Sequence, residues 1–378
     1  MHLPNLKHYL PLQKPWQLGS CLLLFLLVCL LPLPFIGTSR HVVQFMMQVG
    51  INSVAILSFQ WLLGRMGLLS FGHAVYVGLG SYFAIYILQA IAKWPVLAIF
   101  PVVVIPLLAG VMVALLAIVL AYPSTLKTGV VFAMLSLTVA ELIHVLAPAW
   151  PQWFGGEAGL AANRVYGNSF FGWNFASSIE LYYLILVYVV AAFSALAYIN
   201  KTPLGMAINA VKSNPIRAQA MGWNDHKVRQ IAFVIAGFWA GVAGALQALL
   251  LEFVSADVLS GQHSGQILLF ALLGGIQSAW GAFFGAFLWV FGNSYLSQIS
   301  PAWLFYLGLL FMLVVLYGAN GVTGFLSNSQ LVFSAALKRQ NWTLKNLKKA
   351  GFCLLLLACV CLFILAIEQL YQPFFSHH

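Results

Sequence analysis

The 80 residues from Val258 to Leu337 contain no Asp, Glu, Lys or Arg. One helical crossing of a membrane uses about 20 apolar residues, so this stretch must hold several helices. The rest of the chain agrees. Only 6% of its 378 residues are charged and 62% are hydrophobic, against about 25% charged in a soluble domain. A membrane β-barrel would show alternating segments of about 10 residues, and none is present. The fold class is therefore all-α, a polytopic integral membrane helical bundle.

Apolar spans fall at about 18–37, 42–63, 70–91, 95–121, 129–147, 180–199, 230–252, 264–278, 281–298, 302–318 and 351–370. That makes about ten to eleven transmembrane helices, because the short spans flanking Gly274–Gly275 can also form a re-entrant pair. Lys7 and Lys14 precede the first span, and LPLPFIGTSR offers no small-x-small cleavage site, so the first span reads as an uncleaved helix with a cytosolic N-terminus. Threading from there puts 14 of the 17 Lys and Arg on the cytosolic side, and only Arg40, Lys93 and Arg164 outside. This bias is the determinant of orientation in membrane proteins. It also accounts for the net charge of +10 without nucleic acid as a partner. The five cysteines, Cys21, Cys29, Cys353, Cys359 and Cys361, lie in apolar runs without a CxxC motif. They read as small hydrophobes, and no metal site or disulfide framework is expected.

The largest polar break is residues 200–229, NKTPLGMAINAVKSNPIRAQAMGWNDHKVR, with Lys201, Lys212, Arg217, Lys227 and Arg229. Asn214 can cap a helix beginning at Pro215, and Gly222 can end it. A helix of about two turns does not persist alone in water, so PIRAQAM needs a docking partner or the membrane surface. On the opposite side, the longest loop is 148–179, rich in Trp, Phe, Gly and Asn. It reads either as an interfacial aromatic belt or as a docking surface for an external partner. In the second case Gly155, Gly156 and Glu157 are the candidate residues, joined by Asp257 near the outer end of the seventh span.

Two readings stay open for the glycines. Gly237–Gly241 and Gly281–Gly285 have the GxxxG spacing of closely packed helices. Broken helices lining a path are the alternative. That alternative is strongest in GRMGLLSFGHA, where Gly67, Ser70, Gly72 and His73 crowd the start of a span, with Gly78 and Gly80 following. Gly274 and Gly275 are the matching candidates later in the chain, and residues 64–84 and 272–292 repeat a faint glycine pattern. Glu141 sits inside the fifth span, where a charge costs about 2.5 kcal/mol or more, and His144 shares its helix face. The pair lines a translocation path or makes a structural hydrogen bond.

No enzyme signature appears. GxxxxGK[ST], HExxH and GxSxG are absent, as is the TVGYG filter of potassium channels.

Four stretches together resemble one family: GLLSFGHAVYVGLGSY (67–82), LSLTVAELIHVLAPAWPQWFGGEAGL (135–160), TPLGMAINAVKSNPIRAQAMGWNDHKVRQIAFVIAGFWAGVAGAL (202–246) and FVSADVLSGQHSGQILLFALLGGIQSAWGAFFGA (253–286). The chain is similar to permease subunits of ATP-binding-cassette importers for branched-chain amino acids, the LivM type with its urea-transporter relatives. The resemblance implies a type II ABC importer fold in a bacterial inner membrane. It further implies that the cytosolic loop docks on an ATPase subunit through a coupling helix comprising Asn214, Pro215, Arg217, Ala218, Ala220 and Gly222. The implied partners are two ATPase subunits, a second homologous permease, an external solute-binding protein and membrane lipid. This chain itself would bind no cofactor, ATP and Mg²⁺ being held by the ATPases. The expected division is a transmembrane domain over 1–325, a basic cytosolic segment over 326–350, and an additional helix with a short outer tail over 351–378. The alternative to an ATP-driven importer is a self-sufficient channel or secondary carrier for a small neutral solute such as urea.

Overall fold

The computed structural model describes residues 40–94, 101–166, 175–276, 278–299 and 303–317. The expected spans 18–37 and 351–370 and the basic stretch 326–350 lie outside the described residues. Among the described residues, six helices are long and apolar enough to cross a membrane. They are α1 (Arg40–Trp61, continued as a π-helix over Leu62–Met66), α2 (His73–Lys93), α3 (Ile105–Ser124), α4 (Val130–Ala149), α6 (Ser178–Ile199) and α9 (Asp225–Leu251). Between them lie short elements: α5 (Pro151–Phe154), α7 (Pro203–Ser213) and α8 (Pro215–Ala220). Two further helices follow, α10 (Gly261–Gly274) and α11 (Ala279–Phe291), and then α12 (Trp303–Tyr317). The chain forms two units, one up to Ile267 and one from Leu268.

In the first unit α9 is the central post, packed on α1, α2 and α3. Small residues let the backbones touch. A Cβ on Gly80 would lie 2.2 Å from the Gly241 carbonyl oxygen, and one on Gly244 would lie 1.8 Å from that of Val77. Ser81 Oγ donates to the Gly244 carbonyl at 2.8 Å, bonding the two helices at the same point. On the α3 side, Gly241 meets Val113 and Gly110 meets Val242. Association of helices in lipid lacks a hydrophobic drive and depends on such close packing. Helix α3 buries Ala109, Val113, Ala117 and Ala121 at four-residue spacing, while Leu115, Ile118, Val119 and other apolar residues stay exposed. A fully apolar exposed face suits acyl chains and would be insoluble in water.

The run 95–121 was expected to be one span. Helix α3 starts later, at Ile105, after a 3₁₀ turn at Val102–Val104. Pro101 and Pro106 flank that turn, and proline suits a first helical turn better than an interior.

Opposite the loop 200–229, Leu160–Ala161 (β1) pairs antiparallel with Phe253–Val254 (β2), in the register Leu160 to Val254 and Ala161 to Phe253. Gly155, Gly156 and Gly159 all have positive φ, at 74°, 65° and 71°, which permits the tight return from α5 to β1. Arg164 bonds the carbonyls of Leu249, Phe175 and Ala176 and lies 3.6 Å from Glu252. Glu252 joins this clasp from 88 residues away.

In the second unit a Cβ on Gly274 would lie 1.9 Å from the Gly281 carbonyl oxygen and 3.0 Å from the Gly285 nitrogen. Phe270 stacks on Trp289 with centroids 5.3 Å apart. The 14 residues of α10 and 13 of α11 span about 21 Å and 20 Å at 1.5 Å per residue. Helix α10 is thus shorter than a hydrocarbon core of about 30 Å, whereas α11 continues as a π-helix over Gly292–Leu296 and a last turn over Ser297–Ile299, which extends its run to about 31 Å.

Candidate functional site

The segment 200–229 folds from local signals. Pro203 opens α7 after Thr202, whose Oγ1 donates to the Ile199 carbonyl at 2.6 Å. Its inner face buries Ala207, Ile208 and Val211. Lys212 Nζ donates to the Gly64 carbonyl at 2.6 Å, and its stem crosses Gly67, whose φ is +74°. Trp61 Nε1 donates to Asn200 Oδ1 at 3.1 Å, so the segment is tied to the far end of α1 at two points.

Asn214 then caps α8. Its Oδ1 accepts from the Arg217 backbone N–H at 3.0 Å, and Pro215 takes the first helical position. The Gly222 N–H bonds the Gln219 carbonyl at 2.9 Å and the Trp223 N–H bonds that of Ala218 at 3.0 Å. With φ of +87° at Gly222, this is a Schellman-type closure. Of α8 only Ala218 is buried, while Pro215, Arg217 and Ala220 are exposed. Ile216 is 79% exposed, Met221 58% and Trp223 40%. The capped, basic helix thus exposes Ile216, and the turn that follows it exposes Met221 and Trp223.

One polar chain leads from α8 into the bundle, and it was not anticipated. Gln219 lies within reach of the Asp225 carboxylate. Asp225 pairs with Arg229 one turn further along α9, and Arg229 Nη1 donates to the Thr125 carbonyl at 3.2 Å. Arg229 is only 6% exposed. His226 Nε2 sits 3.2 Å from Thr125 Oγ1, and its ring lies edge-on to Tyr122. The i, i+4 spacing of Asp225 and Arg229 is a visible signal for the pair. Thr125, about a hundred residues earlier, carries no such signal.

The break before α2 is the second feature. Residues 67–72 leave the helix between the π-turn and His73, and π-turns concentrate at functional sites. Serines from three other helices satisfy the loose backbone and side-chain groups. Phe71 N–H bonds Ser136 Oγ and Ala74 N–H bonds Ser264 Oγ, both at 3.0 Å. Ser58 Oγ donates to the Ala55 carbonyl at 2.7 Å, so it accepts from His73 Nε2 at 2.8 Å. Ser70 is fully buried, with its Oγ unpaired among the described residues. A Cβ on Gly72 would lie 2.3 Å from the Ser136 carbonyl oxygen. Replacing Ser264 with Ala strands the buried Ala74 N–H, at a cost of about 1–3 kcal/mol. The detergent-solubilised variant should melt measurably below wild type, and an unchanged midpoint would contradict this bonding scheme.

Of the other candidates, Gly78 and Gly80 lie inside α2 against Leu259 and Gly241, as packing positions away from the break. Gly274 ends α10, and Gly275 follows with φ of +108°. Glu141 and His144 lie on α4 but do not bond each other. His144 Nδ1 bonds the Ala256 carbonyl at 3.2 Å, and Glu141 faces outward beside Gly261. At the opposite end, Gly156 is buried while Glu157 and Asp257 are exposed, with Ser255 Oγ 3.4 Å from Asp257.

Comparison with known proteins adds family relationships. The family described as "Branched-chain amino acid transport system / permease component" matches residues 41–318. The high-affinity branched-chain amino acid transport system permease protein LivM of Escherichia coli is 25% identical over 323 residues, covering 79% of this chain and 74% of that one. The guanosine ABC transporter permease protein NupQ of Bacillus subtilis is 33% identical over 138 residues, 36% of this chain and 40% of its own. The probable branched-chain amino acid transport permease protein LivH of Methanocaldococcus jannaschii is 26% identical over 230 residues, 58% of this chain and 68% of its own. No solved structure matches.

Proposed function

This chain belongs to the family of branched-chain amino acid transport system permease components, and from that premise we propose how it works as the permease subunit of an ABC importer. ATPase subunits and a solute-binding protein are its general partners. Two ATPases bind ATP and Mg²⁺ and seat on α8, a second homologous permease completes the membrane unit, and the binding protein delivers solute to the face formed by Gly155, Gly156, Glu157 and Asp257. The segment 200–229 and the N-terminus face the cytosol of a bacterial inner membrane. The solute is a branched-chain amino acid or a related small polar molecule, and the bundle carries it inward by alternating access.

The observation that carries this reading is α8 itself. Ile216 on this helix and Met221 and Trp223 just after it are exposed, and the helix is held by its own caps and by a single buried alanine. Apolar anchors within a polar rim are the recurrent make-up of protein interfaces. The path from Gln219 through Asp225 and Arg229 to the Thr125 carbonyl gives α8 a stiff connection to α9 and to the end of α3. Force applied at α8 therefore reaches the helices beside α4. Purification from the native membrane is the test. A P-loop ATPase should travel with the chain, and solute accumulation should require ATP. Flux that persists without ATP or ATPase would instead identify a self-sufficient carrier.

A further inference from the structure

We infer that Glu141 and His144 form an acceptor site for the ammonium group of the transported solute, at mid-depth on the exposed face of α4. This rests on the reading of the chain as a solute permease. Glu141 is 11 residues from the start of α4 and eight from its end, or about 16 Å and 12 Å along the axis. It is the one acid in the interior of a described span. Its carboxylate is exposed and has no hydrogen bond or ion pair among the described residues.

A carboxylate turned toward acyl chains at this depth is strongly unfavourable, so this strip of α4 does not face lipid. The contrast with α3 is direct. There the exposed residues are apolar throughout the helix, including Val111, Leu115 and Val119. On α4 the exposed strip places Thr138 and Glu141 between Met134 and Val145.

The surroundings suit a charged carboxylate. Oε1 lies over Gly261, the first residue of α10, where a Cβ would come within 2.3 Å of it. Glycine leaves the space open, and the start of a 14-residue helix favours a negative charge. His144 lies one turn on, on the same face. The Ala256 carbonyl can only accept, so His144 Nδ1 donates to it, and Nε2 is the nitrogen left to meet a solute. On α4 itself these two side chains thus present acceptors to one face. Their complement is a group with several N–H donors and positive charge, and a primary ammonium meets both demands.

The test uses the complete transporter in cells lacking their own uptake system. Probes are L-leucine, its des-amino analogue isocaproate, and guanosine, whose base offers an N–H edge without a charge. Co-purification of the ATPase and of the second permease is read in parallel. Glu141→Gln should lower leucine uptake by about ten- to a hundredfold, the cost of one charged hydrogen bond, with both partners retained. Glu141→Asp should recover part of it, and isocaproate should not compete. Undiminished leucine uptake by Glu141→Gln overturns the inference. So does uptake of guanosine alone, or loss of the second permease, which would make the carboxylate a subunit contact. A wild-type preparation without ATPase would overturn the importer reading only. Leucine flux in Glu141→Gln would still decide this one, because the carboxylate acts on the solute whatever drives it.

Discussion

Gly244→Leu should leave almost no folded protein in detergent extracts, and even Gly244→Ala should lower the thermal midpoint sharply. The new Cβ would sit 1.8 Å from the Val77 carbonyl oxygen and 3.1 Å from the Ser81 nitrogen. Both are backbone atoms of α2, so no side chain can swing aside. The helices cannot simply separate there, because Ser81 Oγ bonds the Gly244 carbonyl and Gly80 meets Gly241 one turn away. Overpacking that side chains can absorb costs about 1–3 kcal/mol, and a backbone clash at the central post should exceed that range. Fluorescence-detected size exclusion with a melting curve measures it. Gly265→Ala is the matched control, since nothing lies within 4 Å of its added Cβ. It should be neutral, or more stable by up to about 1 kcal/mol from the helix preference of alanine. A Gly244→Ala protein that melts with wild type would refute the packing described here.

Gly222→Pro and Ile216→Asp should each abolish uptake while leaving the protein folded and inserted. Proline holds φ near −65°, whereas Gly222 has φ of +87° and donates its N–H to the Gln219 carbonyl. The substitution removes both and unravels the end of α8. Ile216 is 79% exposed, so its loss removes nothing from the interior. If it anchors the ATPase, a charged replacement should cost at least about 2 kcal/mol of docking, roughly thirtyfold in affinity. Uptake and ATPase co-purification should fall together at unchanged melting temperature. Normal uptake in both variants would remove α8 from the coupling machinery.

Much of this molecule could be read directly from residues. The Asn214 cap, Pro215 and the Gly222 stop locate α8 almost to the residue, because capping involves side chains and backbone groups within one turn. The break at 67–72 was signalled by clustered glycines ahead of His73. Helix α3 was harder. Its start at Ile105 lies within an unbroken apolar run, where hydropathy does not distinguish turn from helix. Glu141 and His144 are three residues apart on α4, but the turn of His144 toward the Ala256 carbonyl depends on a loop 112 residues away.

The chain's own residues establish a helical membrane protein and the form of its polar loop. Lipid demands internal hydrogen bonding of every span, and caps and turns are local, so both leave marks in one dimension. Which glycines touch, which serines hold the break and which partner Arg229 or Arg164 finds were settled by assembly of the bundle. Those contacts depend on the rotation and depth of each helix against its neighbours, and in spans of nearly uniform apolar composition many rotations look alike until the backbones meet.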